Sequence, residues 1–511
     1  MFTSCSFAIA RFRQTGWAIA GTTAIAAGFA LAAGALAAVP GDGSGANPIA
    51  MPPIEAFPGG GPALVVDSEI HNRVERAAGL VVAGQKLRGA LLRQFYAAHN
   101  FDQVWATRQS QVDALVNLVS RAGEHGLDPD RFHLALLRNR AALAPIDRDL
   151  ILSDAFLGYA DALARGAVPI ELRMDDEDLT PEPVDVASVL GQAVASADPA
   201  AIIEALAPRS PAYTALRRAL QSYRAAAAGP ESARIAPASH GQRDLRAGPD
   251  KTPDKAADKT ADKTNESRLR DIAVNLERLR WLPRQIPADR VWVNTANAQL
   301  VLYRDDRPVF TTRVVVGEVD KQTPELQTTI TSLLFNPPWN VPYSIATKEI
   351  LPKAAQDPNY LTRHRMVVRP NGAIQQLPGP GAALGQLKFE LTNRFDVYLH
   401  DTPLKALFNR DNRRQSHGCV RVQNPRELAA LLLQQPVDTI NKGIAIGSTN
   451  RRMLPAPVPV FLVYQTVFLD ADGTLAFRPD EYGRDDDIWR HLSRSGQAPV
   501  AQNNPAGQRR S

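Results

Sequence analysis

Apolar residues recur every three or four positions along the first third of the chain, which is the spacing of one face of a helix. Leu87, Leu91 and Phe95 follow this spacing. The aromatic side chains of this region, such as Trp105, are expected to lie in a core between helices. Residues 65–224 are therefore predicted to form an α-helical domain.

The next stretch, residues 225–267, has no apolar periodicity. It contains repeated Asp-Lys pairs whose charges cancel, such as Asp254-Lys255 and Asp262-Lys263. Such a composition buries too little apolar surface to offset the entropy of ordering the chain, so this stretch is predicted to be a disordered linker. Helical spacing then returns, and residues 268–288 are predicted to form a connecting helix.

From Arg290 the pattern changes to the two-residue alternation of β-strands. Further strand candidates are residues 300–302, 309–316, 328–335, 395–400, 444–446 and 458–468. One clear helix interrupts them, with Asn424 as its cap and Pro425 at its first position. The predicted fold class is α+β multidomain, an α-helical domain followed by a predominantly β domain.

The overall charge excludes some classes of partner. The chain has 511 residues and a net charge of +5, without a block of Lys and Arg. This small, dispersed excess suits an anionic cell wall or membrane surface and does not indicate nucleic-acid binding. Zinc-finger spacing, a Walker loop and a dinucleotide fingerprint are all absent from the sequence.

The N-terminus carries a targeting pattern. Arg11 and Arg13 precede an uncharged apolar stretch, residues 15–39, in which Ala35-Leu36-Ala37 fits a cleavage site. The stretch is also long enough to span a bilayer uncut. Residues 1–39 are thus either a signal peptide or a signal anchor held in the inner membrane, and both interpretations place the rest of the chain in the periplasm.

Two further segments are predicted to lack fixed structure. Residues 40–64 are rich in Gly and Pro and are interpreted as a flexible spacer. The polar residues 491–511 are interpreted as a disordered tail.

Export leaves Cys419 as the only cysteine beyond the targeting segment, since Cys5 precedes the apolar stretch. A lone exported cysteine is a buried bystander, half of an intermolecular disulfide, or a working thiol. The residues around it distinguish these roles. His400 ends an apolar strand, and His417-Gly418 directly precedes the cysteine.

This neighbourhood favours nucleophilic chemistry. A thiol reacts as its thiolate and needs a base or cation nearby, which His400 or His417 supplies. Gly418 permits a sharp turn that exposes backbone amides to a developing oxyanion. Arg410, Arg413, Arg414 and Arg421 are expected to favour the thiolate. A metal site is the competing interpretation, but no fourth Cys or His is close in sequence.

These residues resemble a known family. The string His400…Ser416-His417-Gly418-Cys419 resembles the signature of L,D-transpeptidases with a YkuD-type catalytic domain. Segments that resemble the larger subfamily, which has an N-terminal helical scaffold and an inserted lid, are residues 126–129, 314–317, 321–324, 336–342, 350–353, 377–380 and 459–485. The resemblance implies a catalytic domain at 289–455 with a lid at about 336–385, and a C-terminal hairpin extension at 456–490.

The resemblance also implies a role for each motif residue. Cys419 is the nucleophile and His400 the general base. Asp401 orients that histidine through its backbone carbonyl, and the amides around Gly418 and Cys419 form the oxyanion hole. His417 shapes the site, as does Ser416 of the same motif.

Three more residues are assigned to the substrate. Arg421 stands where many members have asparagine and is expected to contact a substrate carboxylate. Trp339 and Tyr398 are candidate walls of the substrate cleft, and core packing explains each of them equally well. The glycine-rich repeat of a peptidoglycan-binding domain, usual in this subfamily, is missing, so substrate capture is expected to fall to the lid and cleft.

The family chemistry predicts the reaction. The donor is a peptidoglycan stem tetrapeptide; the cysteine forms a thioester, D-Ala leaves, and a diaminopimelate amine of an acceptor stem resolves the thioester into a 3→3 cross-link. No cofactor, ATP or metal is needed, and carbapenems are expected to acylate Cys419. Water as acceptor would make an L,D-carboxypeptidase, and a lysine of an outer-membrane protein would make a tethering enzyme. A non-catalytic envelope scaffold and a conventional cysteine peptidase are the two remaining hypotheses.

Overall fold

The structure is a computed structural model. It describes residues 68–75, 79–228, 264–470 and 472–493. All of these residues lie within one compact unit, Val65–Ser511. The predicted targeting segment, the spacer, most of the linker and nearly all of the C-terminal tail fall outside the described residues. Among the helices that are described, none is both long and apolar enough to cross a membrane.

The N-terminal part of the described chain is helical. Its α-helices are α1 Glu69–Glu75, α2 Gly89–Ala97, α3 Gln109–Ser120, α4 Leu134–Arg138, α5 Pro145–Arg165, α6 Val186–Ala195, α7 Pro199–Glu204, α8 Pro211–Ala228 and α9 Asn265–Arg280. Short 3-10 turns lie at Ala122–His125, Pro129–Phe132, Arg140–Ala142 and Ile170–Leu172, and a two-stranded ribbon pairs β1 Val81–Val82 with β2 Gln85–Lys86. This arrangement follows the helical periodicity of the sequence.

Helix α5 is the centre of the helical domain. It begins with Pro145 in its first turn, and its buried residues lie on every face of the helix. Phe95, Tyr96 and Trp105 pack in the same core, as the sequence predicted. The Tyr96 hydroxyl donates to Asp149 on α5 at 2.7 Å, so its polar end is satisfied within the core.

The C-terminal part is built on a nine-stranded sheet. The strands of this part are β3 Arg290–Asn294, β4 Gln299–Arg304, β5 Arg307–Gly317, β6 Leu326–Phe335, β7 Trp339–Asn340, β8 Met366–Val368, β9 Ile374–Gln376, β10 Leu387–Leu391, β11 Leu399–His400, β12 Arg414–Ser416, β13 Val420–Val422, β14 Asn450–Val463, β15 Val467–Leu469 and β16 Leu475–Phe477. The order in the large sheet is β12-β5-β13-β11-β10-β6-β14-β3-β4, and β4 also pairs with β5. The sheet therefore closes on itself around an apolar core.

The segment between β6 and β10 leaves this sheet and forms a small unit of its own. Strands β7, β9 and β8 make a separate three-stranded sheet. Helical turns lie at Tyr343–Ile345, Ala346–Ile350, Leu351–Gln356 and Tyr360–Arg363. Buried residues such as Val341 and Met366 give it a separate core. We call residues 336–385 the lid.

Two consecutive helices come directly after the motif segment, and a third, Asp485–Leu492, lies near the end of the described chain. The predicted helix is present as Pro425–Leu433, preceded by Asn424. The strand predicted at 444–446 is wrong, because these residues end a second helix, Val437–Ala445. The apolar positions of that helix, Ile440 and Ile444, are four apart and both face the core, a spacing that the short apolar run at 444–446 concealed. The α+β fold class itself is confirmed.

Several predicted boundaries fall inside structural elements. The boundary at 455 cuts β14, which pairs with β6 on both sides of a register shift between Met453 and Val458 and with β3 at 460–463. Pro455 and Pro457 lie within that shift, where a proline disturbs no ladder hydrogen bond. Helix α8 continues through an alanine run past residue 224, since alanine has the highest helix propensity. Helix α9 begins before 268 because Thr264 caps it.

A buried ionic cluster joins the helical part to the sheet. The Arg278 guanidinium on α9 pairs with Asp485, and Arg484 pairs with Glu325 of the sheet domain and with Asp176 of the helical domain. Glu177 is also buried there, and its backbone bridges that of Glu325. Charges are tolerated in such a dry place only when they are paired, so this cluster fixes how these segments meet.

Candidate active site

The predicted base, His400, is the last residue of β11. Its side chain is buried, and its Nδ1 lies 2.5 Å from the backbone carbonyl oxygen of Asp401. A carbonyl only accepts, so Nδ1 carries the proton and Nε2 is left as the basic nitrogen. The Asp401 side chain has separate partners, the Gln386 amide at 2.9 Å and the Lys405 ammonium at 2.5 Å.

Sheet register places two cations beside His400. Strand β10 pairs antiparallel with β11 and sets Lys388 opposite His400, while β13 pairs parallel and sets Arg421 opposite it. Directly paired residues project on the same face of a sheet. Leu387 and Phe389 point into the core, so the alternation of β10 could have predicted that Lys388 faces the site. The sequence interpretation missed this lysine.

The predicted nucleophile, Cys419, lies at the turn into β13. Gly418 has φ +105°, a left-handed conformation that favours glycine. The Val420 amide donates to the Tyr398 carbonyl at 3.0 Å, which ties the turn to the neighbouring strand. Cys419 is half-buried, and its Sγ lies 4.0 Å from the Asp396 carbonyl oxygen. The thiol is thus held at a strand end close to the strand that carries His400.

The two amides predicted for an oxyanion hole differ in their bonding. The Ser416 hydroxyl accepts from the Gly418 amide at 3.2 Å and donates to the Cys419 carbonyl at 2.6 Å. Ser416 therefore uses the Gly418 amide to shape the turn. The Cys419 amide makes no hydrogen bond within the described residues, so it is the donor that remains for a substrate oxyanion.

The thiol and imidazole are both neutral at rest. Burial lowers the pKa of His400 to about 3, and the positive charge of Arg421 acts in the same direction. Burial also raises the pKa of Cys419, although Tyr398, Lys388 and Arg421 favour the thiolate. Arg421 thus favours the thiolate, as expected from the sequence, but burial outweighs the charges.

Only one of the four arginines expected to act on the thiol does so. Arg421 faces Cys419 electrostatically, and its Nε is buried without a hydrogen-bond partner in the described residues. Arg413 and Arg414 instead donate to the backbone carbonyls of Asn297 and Ala296. Arg410 donates to the Gln415 side chain at 2.8 Å. These three hold the loop before the motif.

Tyr398 and Trp339 meet at the thiol. The Tyr398 side chain contacts the side chains of both Cys419 and Trp339, and burial raises its pKa. The Lys388 ammonium lies 4.0 Å from the centre of the Tyr398 ring, a cation–π arrangement. Trp339 belongs to β7 of the lid and packs against the lid core. The sequence left each of these two residues open between a cleft wall and core packing, and the structure brings them together at Cys419.

His417 connects the motif to the lid. It is exposed, and its Nε2 lies 2.5 Å from Glu349 of the lid and 2.9 Å from Lys321. The hydrogen bond from His417 lowers the pKa of the Glu349 carboxyl. His417 is therefore an exposed contact with the lid, whereas His400 is buried.

A buried threonine supports the motif from behind. The Thr323 hydroxyl donates to the Gly418 carbonyl at 2.8 Å and accepts from the Gly317 amide at 2.9 Å. The Tyr482 hydroxyl donates to the Gly317 carbonyl at 2.7 Å. The sequence interpretation placed Thr323 in a family-like turn without a role, because nothing in the pattern shows that this turn packs beneath Gly418.

The described residues contain no group of three or more His, Cys, Asp and Glu side chains placed to hold a metal ion. What they do contain is a thiol, an imidazole of fixed tautomer on a neighbouring strand, an unused amide donor and two nearby cations. This is the equipment of acyl transfer through a thiol.

Comparison with known families decides the assignment. Residues 288–454 match the family model of the YkuD L,D-transpeptidase catalytic domain. Over these residues the chain matches the L,D-transpeptidase family. Residues 90–220 match the family model of a Scaffold domain, so the resemblance seen in the sequence is confirmed for both domains.

Individual L,D-transpeptidases show how far the likeness extends. A Haemophilus influenzae protein, provisionally named an L,D-transpeptidase, is 33% identical over 240 residues, which cover 42% of this chain. The chain spans about half, 48%, of the length of that relative. The catalytic domain of an Enterococcus faecium L,D-transpeptidase acylated by ertapenem is 12% identical, with 35% of this chain and 98% of that one covered and a TM-score of 0.20. A Mycobacterium smegmatis L,D-transpeptidase is 13% identical, covering 34% of this chain and 58% of that one, with a TM-score of 0.18.

Proposed function

We propose that this protein is a periplasmic peptidoglycan L,D-transpeptidase that forms 3→3 cross-links through a Cys419 thioester. The observation that supports this most is the Nδ1–carbonyl contact of His400 with Asp401, because it leaves Nε2 as a base on the strand beside the thiol. Export rests on the apolar pattern of residues 1–39.

The first half-reaction is acylation. Sγ of Cys419 attacks the carbonyl carbon that precedes D-Ala in the donor tetrapeptide while its proton passes to Nε2 of His400. The oxyanion that forms accepts a hydrogen bond from the Cys419 amide. Collapse breaks the peptide bond, the imidazolium returns the proton to the departing D-Ala amine, and a thioester remains.

The second half-reaction is aminolysis. The side-chain amine of an acceptor diaminopimelate attacks the thioester and loses a proton to Nε2. The thiolate leaves and recovers that proton, so both residues return to their neutral state. The net change is one amide bond exchanged for another, which requires no ATP. Lys388 and Arg421 supply positive charge on this face, suited to the carboxylates of the stem peptides.

Mass spectrometry of muropeptides tests the proposal. Purified protein and its Cys419→Ala variant are incubated with disaccharide-tetrapeptide. A cross-linked dimer that has lost D-Ala, formed only by the wild type, is the expected product. Tripeptide alone would identify the carboxypeptidase, and product only when an outer-membrane protein is added would identify the tethering enzyme. Product from the Cys419→Ala variant would contradict the assignment of the nucleophile.

A further inference from the structure

The helical domain contains a cavity of about 490 Å³. Its lining residues lie far in sequence from the motif that contains Cys419. This volume is within the range of small-ligand pockets. Lys86, Arg88, Arg131, Arg165 and Arg173 line it, against two acidic residues, Asp161 and Glu171. The cavity is therefore cationic, while the catalytic mechanism makes no use of it.

Arg88 is held in this wall by a specific arrangement. Its Nη1 lies 2.5 Å from Oδ2 of Asp154, which is fully buried, and His133 reaches the same oxygen at 2.9 Å. A Cβ on Gly158 would clash with the Arg88 guanidinium. Glycine inside a helix costs about 1 kcal/mol relative to alanine. Here it gives the guanidinium room to lie against the bare backbone of α5.

The rest of the Arg88 guanidinium remains available. Its Nε and Nη2 donate no hydrogen bond to the described residues, and its side chain is 29% exposed. Of the other cations, Arg165 is paired with Asp161, whereas Arg173 donates to the backbone carbonyls of Val168 and Leu179. Backbone carbonyls do not neutralise a guanidinium, so the cavity keeps a positive excess.

The lining also indicates which chemical groups the ligand carries. Leu91, Phe132, Val168 and Ile170 give the cavity apolar wall beside the cations. A free guanidinium edge recognises a carboxylate with two parallel hydrogen bonds. Apolar wall next to that edge suits the alkyl part of an amino acid or short peptide. A ligand with both features is a peptide that carries free carboxylates.

We propose that this cavity is a second binding site for the carboxylates of peptidoglycan stem peptides. Through it the helical domain binds the peptidoglycan while the catalytic cleft acts on a neighbouring stem peptide. The proposal rests on the proposed function. It also supplies a wall contact for a chain whose sequence shows no peptidoglycan-binding repeat.

The variants must change the charge of the cavity without unfolding it. Substitution of Arg88 is unsuitable because it would leave the Asp154 carboxylate buried without its partner. Thr180 lines the same cavity and is exposed, so a larger side chain can be placed there without disturbing the core. Thr180→Glu adds a negative charge, and Thr180→Gln is a neutral control with the shape of glutamate.

The test is calorimetric binding of a diaminopimelate stem tripeptide to the full chain carrying Cys419→Ala, with each Thr180 variant added to it. Any binding in the catalytic cleft is common to both variants. We expect Thr180→Glu to weaken binding roughly tenfold or more, because the added carboxylate repels the carboxylates of the ligand and competes with them for the cations of the cavity. Thr180→Gln should leave the affinity within about twofold of that of the protein with Thr180. Amidation of the tripeptide carboxylates should weaken binding to the Thr180→Gln protein in the same way.

Equal affinity of the two variants for the tripeptide, or no binding to either, would overturn the cavity proposal. Cross-linking is measured separately with Cys419 intact. Suppose that the two variants bind the tripeptide equally and that Thr180→Glu protein still converts soluble disaccharide-tetrapeptide. That result would leave the proposed function standing and would remove only the second site. Different affinities without any cross-linked product would support the cavity and count against the reaction.

Discussion

The Thr323 hydroxyl donates a hydrogen bond of 2.8 Å to the carbonyl oxygen of Gly418, and the Thr323 side chain is fully buried. This carbonyl belongs to the same planar peptide unit as the amide of Cys419. A bond that fixes the carbonyl therefore also fixes the direction of the Cys419 N–H. In the proposed mechanism we therefore expect Thr323 to act through the backbone, as a positioning residue for the oxyanion donor.

Thr323→Val keeps the shape of the side chain and removes this bond. We expect kcat/KM to fall about tenfold to a hundredfold, mostly through kcat, because the donor amide is needed most in the transition state. Thr323→Ser retains the hydroxyl and should restore most of the activity. Melting temperatures of both variants show whether the effect is only structural. A kcat for Thr323→Val equal to that of the wild type would contradict the positioning role.

Tyr398→Phe tests the phenol that contacts the thiol. The phenol favours the thiolate, so its loss should raise the pKa of Cys419 further. We expect a fall in kcat/KM of roughly tenfold, consistent with the loss of one hydrogen bond to a charged group. The ring still covers the site, so the melting temperature should hardly change. Unchanged acylation kinetics would mean that Tyr398 serves only as a wall.

Alkylation of Cys419 tests the neutral resting pair. Burial raises the pKa of this thiol, so the rate of reaction with iodoacetamide should still be rising with pH above about 8.5. Cys5 is replaced by Ala in this experiment, so that only one thiol reacts. The Cys419→Ala protein provides the blank. A rate that levels off below about pH 7 would indicate a resting thiolate–imidazolium pair and would contradict a neutral Cys419 thiol beside a neutral His400.

Glu177→Gln tests the buried ionic cluster. Burial and the nearby Glu325 raise the pKa of Glu177 above its ordinary value of 4.5. The folded protein thus holds a proton that the unfolded chain has released, and the stability gained at low pH is lost as pH rises through the raised pKa. Glutamine removes this dependence. We expect the free energy of unfolding of the variant to exceed that of the wild type by about 1–3 kcal/mol at pH 8 and by little at pH 4.5. At pH 4.5 the unfolded wild-type chain also holds much of the proton on Glu177, so the folded and unfolded states differ less in protonation.

Urea unfolding at the two pH values measures this difference. Glu171→Gln is the matched control, since Glu171 lies on the surface of the same domain. A Glu177→Gln protein that is less stable at pH 8 than the wild type would mean that Glu177 is ionised and that its charge supports the cluster.

Local patterns predicted most of the architecture and the two central residues of the site. Helical spacing, strand alternation and the Asn424-Pro425 start each depend on residues close in sequence, and so does the motif that contains Cys419. The same is true of His400, because it ends an apolar strand. Such features are visible without knowing which elements pack together.

Contacts between distant segments could not be predicted in this way. Lys388 reaches the site through strand register, and Thr323 reaches Gly418 across 95 positions of sequence. The arginines near the motif show the same limit. Arg421 favours the thiolate as expected, whereas Arg410, Arg413 and Arg414 are close to Cys419 in sequence but bond to other groups. Electrostatic effects depend on depth and distance in the folded protein, neither of which composition supplies.

The account depends above all on a thioester at Cys419, and intact-protein mass spectrometry measures it most directly. Protein is mixed with donor tetrapeptide whose diaminopimelate side-chain amine has been acetylated, so that no acceptor amine is present, and the mixture is quenched in acid. We predict that the mass increases by that of the donor less D-Ala, that the adduct maps to Cys419, and that Cys419→Ala protein gains nothing. An adduct on another residue, or cross-linked product formed by the Cys419→Ala protein, would contradict the account.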